Sequence, residues 1–85
     1  MNISKAEQRV LHVLAQGGAI QYVRGPNRKV VDVICVTRDG HVLSNCTLGV
    51  FQRLLRRKLI RSQNGRPYQI SRLGRENVRA QLDNR

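Results

Sequence analysis

An α+β fold is predicted by three features of this 85-residue sequence. Apolar residues recur at helical spacing near both ends and again after Thr47. Between Ala19 and Asn45 the period becomes that of strands, punctuated by Gly, Pro and Asp. Further on, Asn64-Gly65 separates two short extended segments, and Asn-Gly is a strong hairpin signal because both residues tolerate positive φ. The length supports one core and one small domain over residues 1–85, since a second domain would be too small to bury its own apolar surface.

The first helix starts at Ser4-Lys5-Ala6-Glu7, which has capping-box spacing: the Ser hydroxyl accepts from a first-turn amide and the Glu reaches back. Ala6, Val10, Leu11, Val13 and Leu14 follow at helical spacing, and Gly17-Gly18 can end the helix at positive φ. Three strands then form a meander: AIQYVR, KVVDVICVT after Gly25-Pro26-Asn27, and HVLSN after Arg38-Asp39-Gly40. In the middle strand Val31, Val33 and Cys35 share one face; Val30, Ile34 and Val36 share the other with Asp32. Two largely apolar faces suit a covered central strand. Burial between the terminal helices is expected, with pairing or dimerisation as the alternative.

The next helix, LGVFQRLLRRKL, is capped by Thr47 or Asn45. Phe51, Leu54, Leu55 and Leu59 form its apolar stripe, and Arg53, Arg56 and Arg57 cluster opposite. Gly49, near the basic side, reads either as a neutral surface glycine or as a point where another surface approaches the backbone. Residues 59–62 and 67–70 form a hairpin around Gln63-Asn64-Gly65. Ser71 caps a last helix, RLGRENVRAQL, whose Leu73, Val78 and Leu82 are expected to face the core.

Charge is the strongest global signal. The net charge is +11, and residues 51–85 carry ten basic side chains against two acidic ones. Self-repulsion of this size in a small fold points to a polyanion or an acidic protein surface as partner. The N-terminus, MNISKAEQRVLHVL, has no apolar stretch long enough for a signal peptide or membrane span, so a cytoplasmic protein without a membrane partner is expected. Cys35 and Cys46 lack CxxC spacing and a His cluster; they read as buried small hydrophobes rather than a disulfide or metal site.

A basic helix followed at once by a short hairpin is the second half of a winged-helix module, in which the helix enters a groove and the wing lies along phosphates. The predicted fold is therefore winged-helix-like, in the order helix, three-strand meander, helix, β-hairpin wing, C-terminal helix. The candidate binding residues are Arg53, Arg56 and Arg57 on the helix and Arg61, Asn64 and Arg66 on the wing. Arginine suits this role because its planar fork grips phosphate or guanine edges bidentately. One part departs from the pattern: the helix that supports a DNA-reading helix is replaced by the meander. That favours a scaffold redirected to a protein surface over ordinary major-groove reading.

No enzyme, cofactor or metal site is expected. His12 lies beside the apolar stripe of the first helix and His41 in a turn, neither with a partnered nucleophile. Gly17-Gly18 and Gly40 lack the Gly-Lys-Ser/Thr ending of a phosphate loop and read as caps and turns.

The segments EQRVLHVLAQGG, NCTLGVFQRL, KLIRSQNGRPYQIS and VRAQLDNR, which together cover nearly the whole chain, resemble the YjhX family of small bacterial proteins. The resemblance implies a toxin of a toxin–antitoxin pair that inhibits DNA topoisomerase I and is neutralised by an antitoxin similar to GNAT acetyltransferases. It carries over no catalytic residues. Gly49 stands where the family pattern would have a small helix-former such as Ala. The alternative reading is a winged-helix DNA-binding transcriptional regulator, with non-specific DNA binding compatible with either. Both readings expect that replacing Arg53, Arg56 and Arg57 together by Glu abolishes activity and leaves the fold intact.

Overall fold

The structure, a computed structural model, describes residues 3–44 and 46–78. Its element order is α1 (Lys5–Ala15), β1 (Ala19–Arg24), β2 (Val30–Val36), β3 (Val42–Leu43), α2 (Leu48–Arg56), β4 (Ile60–Arg61), β5 (Gln69–Ile70) and α3 (Arg72–Asn77). The α+β order follows the sequence expectation.

The capping box at the start of α1 is formed: Ser4 N–H donates to Glu7 Oε1 at 2.9 Å, and Glu7 N–H donates to Ser4 Oγ at 3.2 Å. At the other end Gly17 takes φ +102°. Gly17 N–H then reaches Leu14 O and Gly18 N–H reaches Val13 O, each at 3.1 Å, which is the Schellman closure. Gly18 serves a different need, because a Cβ there would lie 2.6 Å from Val36 O and 2.8 Å from Val13 Cγ1.

β1, β2 and β3 form an antiparallel meander in which Ile20 faces Cys35, Tyr22 faces Val33, and Cys35 faces Leu43. These residues make the inner face, and Ile20, Val33 and Cys35 join the core with Val10, Leu11, Phe51 and Leu54. The other face differs from the expectation of burial between terminal helices. Both long helices pack on the inner face, so Val23, Ile34 and Val42 stay 57%, 44% and 66% exposed. Val31, expected to share the buried face, is exposed as well, because it lies toward the end of the β1–β2 hairpin, beyond the strand's buried positions at Val33 and Cys35.

β4 and β5 pair as the predicted hairpin, with Ile60 opposite Ile70 and Arg61 opposite Gln69. Asn64 and Gly65 both take positive φ at its tip, and Arg66 N–H closes the turn on Gln63 O at 3.0 Å. The hairpin lies alongside the meander. Ile20 and Tyr68 exchange backbone hydrogen bonds of 2.9 and 2.8 Å along the outer edge of β1. The three aromatic side chains of the sequence weld this junction. The Tyr68 ring meets Tyr22 and Phe51 edge-on, with centroids 5.3 and 5.0 Å away, and Tyr22 Oη–H donates to Gly65 O at 2.8 Å.

Two helix ends depart from the sequence reading. Thr47 caps α2 through its hydroxyl, but the helix stops at Arg56 instead of running to Leu59. Lys58 takes φ +62°, its N–H reaches Leu55 O, and Leu59 N–H reaches Leu54 O. This is a Schellman closure with Lys where Gly is usual, and it drives Leu59 into the core. α3 is shorter than predicted. Ser71 Oγ accepts from Gly74 N–H and donates to Lys58 O, and the helix ends at Asn77 with Val78 extended. Leu73 is 39% exposed rather than buried. The core side of α3 is Gly74, where a Cβ would collide with the Leu59 carbonyl. Val78 packs against the core as expected, and Leu82 lies outside the described residues.

Candidate functional site

The candidate arginines fall into two groups, and the first is organised by a buried carboxylate. Glu7 is 2% exposed, although it stands in the first turn of α1. Arg53 Nε lies 3.5 Å from its Oε2, and Arg57 Nη1 lies 3.4 Å from its Oε1. Spacing i, i+4 on α2 puts both cations over the same side of α1. Burial pushes the Glu7 carboxyl up, but the Ser4 hydrogen bonds, then Arg57 and Arg53, outweigh it and hold it below its ordinary value. Arg53 and Arg57 therefore keep part of their guanidinium surface in solvent and commit the rest to the α1–α2 contact. Arg56 is exposed and forms no ion pair among the described residues.

The expectation that all three can become Glu without harm to the fold does not hold on this geometry. Glu at position 53 or 57 would set a second carboxylate against a buried one. Gly49, at the start of the helix, has room around it: a Cβ would sit 3.6 Å from Arg53 Nη1 and 3.8 Å from Thr47 Oγ1.

The second group lies on the hairpin. Ile60 and Ile70 point into the core, so strand alternation sends Arg61 and Gln69 to the opposite side. There Arg61 and Arg66 line a cleft of about 310 Å³ together with Arg72, Gln63, Gln69 and Ala19. Neither Arg61 nor Arg66 has a carboxylate partner among the described residues, whereas Arg72 reaches Glu76 Oε2 at 3.5 Å. Asn64 is exposed at the tip. The two groups thus sit on opposite sides of the layer formed by β1 and the hairpin.

Sequence reasoning missed Arg72 and Glu7. Arg72 was legible only as a helix residue, because its place beside the hairpin depends on how α3 folds back. Glu7 carries a visible local role as a capping residue, and its second role requires α2.

Both cysteines are buried and free. A hydrogen bond between their thiols, with burial, raises Cys35 above the usual thiol range, and the same bond lowers Cys46. Among the described residues no group of three His, Cys, Asp or Glu side chains could hold a metal ion, and no helix is long and apolar enough to cross a membrane.

Comparison with known proteins is consistent along the whole chain. The YjhX_toxin family model, described as "Putative toxin of bacterial toxin-antitoxin pair", matches residues 1–85. A UPF0386 protein of Ruegeria sp. (strain TM1040) is 64% identical over 85 residues, covering all of both chains. One from Beijerinckia indica subsp. indica is 61% identical, again covering all of both. A third, from Caulobacter vibrioides, is 58% identical over all of this chain and 93% of its own. No solved structure matches the chain.

Proposed function

From the premise that this chain belongs to the YjhX toxin family, we propose that it is the toxin of its pair and acts by binding and inhibiting DNA topoisomerase I, without catalysis of its own. One observation carries the reading: Arg56, Arg61 and Arg66 are exposed and unpaired among the described residues, in a chain of net charge +11. Such a cationic face is complementary to the DNA backbone held in an enzyme groove and to any acidic surface beside it. Arg53 and Arg57, held in place by Glu7, add two oriented donors beside Arg56, and Asn64 adds an amide at the hairpin tip. The winged-helix-like arrangement is supported by the pairing of the hairpin with β1 through Ile20 and Tyr68. The partner that silences the toxin is an antitoxin resembling GNAT acetyltransferases, as the family resemblance implies, and the pair acts in the cytoplasm.

Relaxation of supercoiled plasmid by purified topoisomerase I tests the reading. The wild-type chain stops relaxation, and the variant R56E/R61E/R66E, which breaks no ion pair among the described residues, restores it. Undiminished relaxation at several-fold molar excess of the wild-type chain sinks the proposal.

A DNA-binding regulator is the second reading, favoured by the three arginines that line the cleft beside the hairpin. It requires a sequence preference in mobility shift at fixed salt, beyond the uniform affinity that counterion release gives any cationic protein.

A further inference from the structure

Among the described residues nothing covers the outer face of the meander, which is apolar apart from Gln21 and Asp32. Val23, Ile34 and Val42 all point away from the helices, and Val36 lies between Ala19 and Val42 in the register. Ala19 continues this strip into the cleft lined by Arg61, Arg66 and Arg72, because it faces outward on β1 and also lines that cleft. The face is thus mainly apolar over β1–β3, with Gln21 and Asp32 as its polar members, and cationic along its hairpin side. At its far end the β1–β2 turn adds Arg28 and Lys29.

We propose that this face seats the antitoxin, through an acidic surface that carries a few apolar side chains. The proposal rests on the toxin reading above, and it separates two surfaces: the exposed side of α2 with the hairpin arginines Arg61 and Arg66 for the target, and the outer face of β1–β3, which borders that cleft at Ala19, for the neutralising partner. Charge decides the occupant. A second copy would bring one +11 chain against another and set the arginine cleft near a like charge. An acidic partner removes that repulsion and gains complementarity at both cationic margins.

The sheet also discourages pairing by its open edge. Thr37 N–H points toward β3, where it reaches His41 O, so alternation along β2 turns Val33 N–H to the same side, beyond the short β3. Asp32 Oδ1 accepts that N–H at 2.9 Å and occupies the edge. Asp32 is the one carboxylate on the β1–β3 part of this face among the described residues, and it is already committed to the backbone; at the cleft, Glu76 is taken up by Arg72. Contact is therefore made by the side-chain face.

The test uses the full chain and its antitoxin, taken as the product of a flanking gene that restores growth when co-expressed. Titration calorimetry measures its binding to wild type, to V23T/I34T/V42T, to R28E/K29E and to the control L73Q, an exposed apolar site elsewhere. Circular dichroism checks each fold. The triple variant is expected to weaken binding about 100-fold, since each apolar side chain is worth about a factor of five when buried at an interface. R28E/K29E, in an exposed turn, is expected to weaken it about tenfold in a salt-dependent way, and L73Q is expected to bind within twofold of wild type.

Binding of the triple variant within twofold of wild type overturns the proposal, as does a wild-type chain that binds neither flanking product. A dimer in sedimentation that the triple variant abolishes also overturns it, in favour of a second copy. Growth arrest is read separately. A triple variant that arrests growth and escapes the antitoxin supports the two-surface arrangement. A wild-type chain that binds a flanking gene product without arresting growth refutes the toxin reading and leaves the calorimetric result standing.

Discussion

The carboxylate of Glu7 in α1 lies 3.4 Å from Nη1 of Arg57, the C-cap residue of α2, and its second oxygen faces Arg53. One side chain therefore closes the N-terminus of one helix and clamps the basic side of another. Its folded pKa is depressed below the ordinary 4.5. The contribution to stability is present above about pH 4.5 and is lost as pH falls through the folded value. Thermal melts of wild type and Glu7→Gln should differ most at neutral pH, by about 1–3 kcal/mol, and converge in acid. A difference that stays constant as pH falls would show that the charge contributes nothing.

Arg56 and Arg57 are neighbours in sequence and opposites in consequence. Arg57→Glu is expected to cost about 3 kcal/mol, because it places a like charge on a buried carboxylate. Arg56→Glu should change stability by about 0.5 kcal/mol or less, as at an ordinary exposed site. Urea denaturation of the two variants distinguishes them, and equal midpoints would contradict the Glu7 clamp.

Lys58 holds a left-handed conformation that glycine adopts without penalty. Lys58→Gly should raise stability by about 1 kcal/mol through relief of that strain. A lower denaturation midpoint would mean that the added freedom of the unfolded chain outweighs the relief.

Two glycines in helices should respond with opposite signs. Gly49→Ala adds a methyl in ordinary contact with its neighbours and should stabilise α2 by about 0.5–1 kcal/mol. Gly74→Ala forces α3 off the Leu59 carbonyl and should cost about 1–3 kcal/mol. Equal behaviour in thermal melts would argue against the close approach of α3.

Tyr22 ties the meander to the hairpin tip through its hydroxyl. Tyr22→Phe keeps the ring contact with Tyr68 and removes that bond, at a cost of about 0.5–1.5 kcal/mol. Amide exchange should speed up at Arg66, which closes the hairpin turn, and stay unchanged in α1.

The sequence by itself determined the features whose physics is local: the Ser4–Glu7 box, the Gly17-Gly18 stop, the Asn64-Gly65 turn, the Thr47 and Ser71 caps and the order of elements. Each depends on residues within a few positions, where φ preference and side-chain reach suffice. It also located the basic helix and hairpin, and with them Arg53, Arg56, Arg57, Arg61, Asn64 and Arg66 as the residues to ask about. Only the tertiary structure decided how those side chains are divided: Arg53 and Arg57 turned to Glu7, Arg61 and Arg66 joined by Arg72, and Arg56 left in solvent. It likewise decided that Lys58 ends α2, that Gly74 rather than Leu73 faces the core, and that one apolar side of β2 stays uncovered. Those outcomes depend on contacts between elements far apart in the chain, and helical or strand periodicity marks an apolar face without saying what covers it.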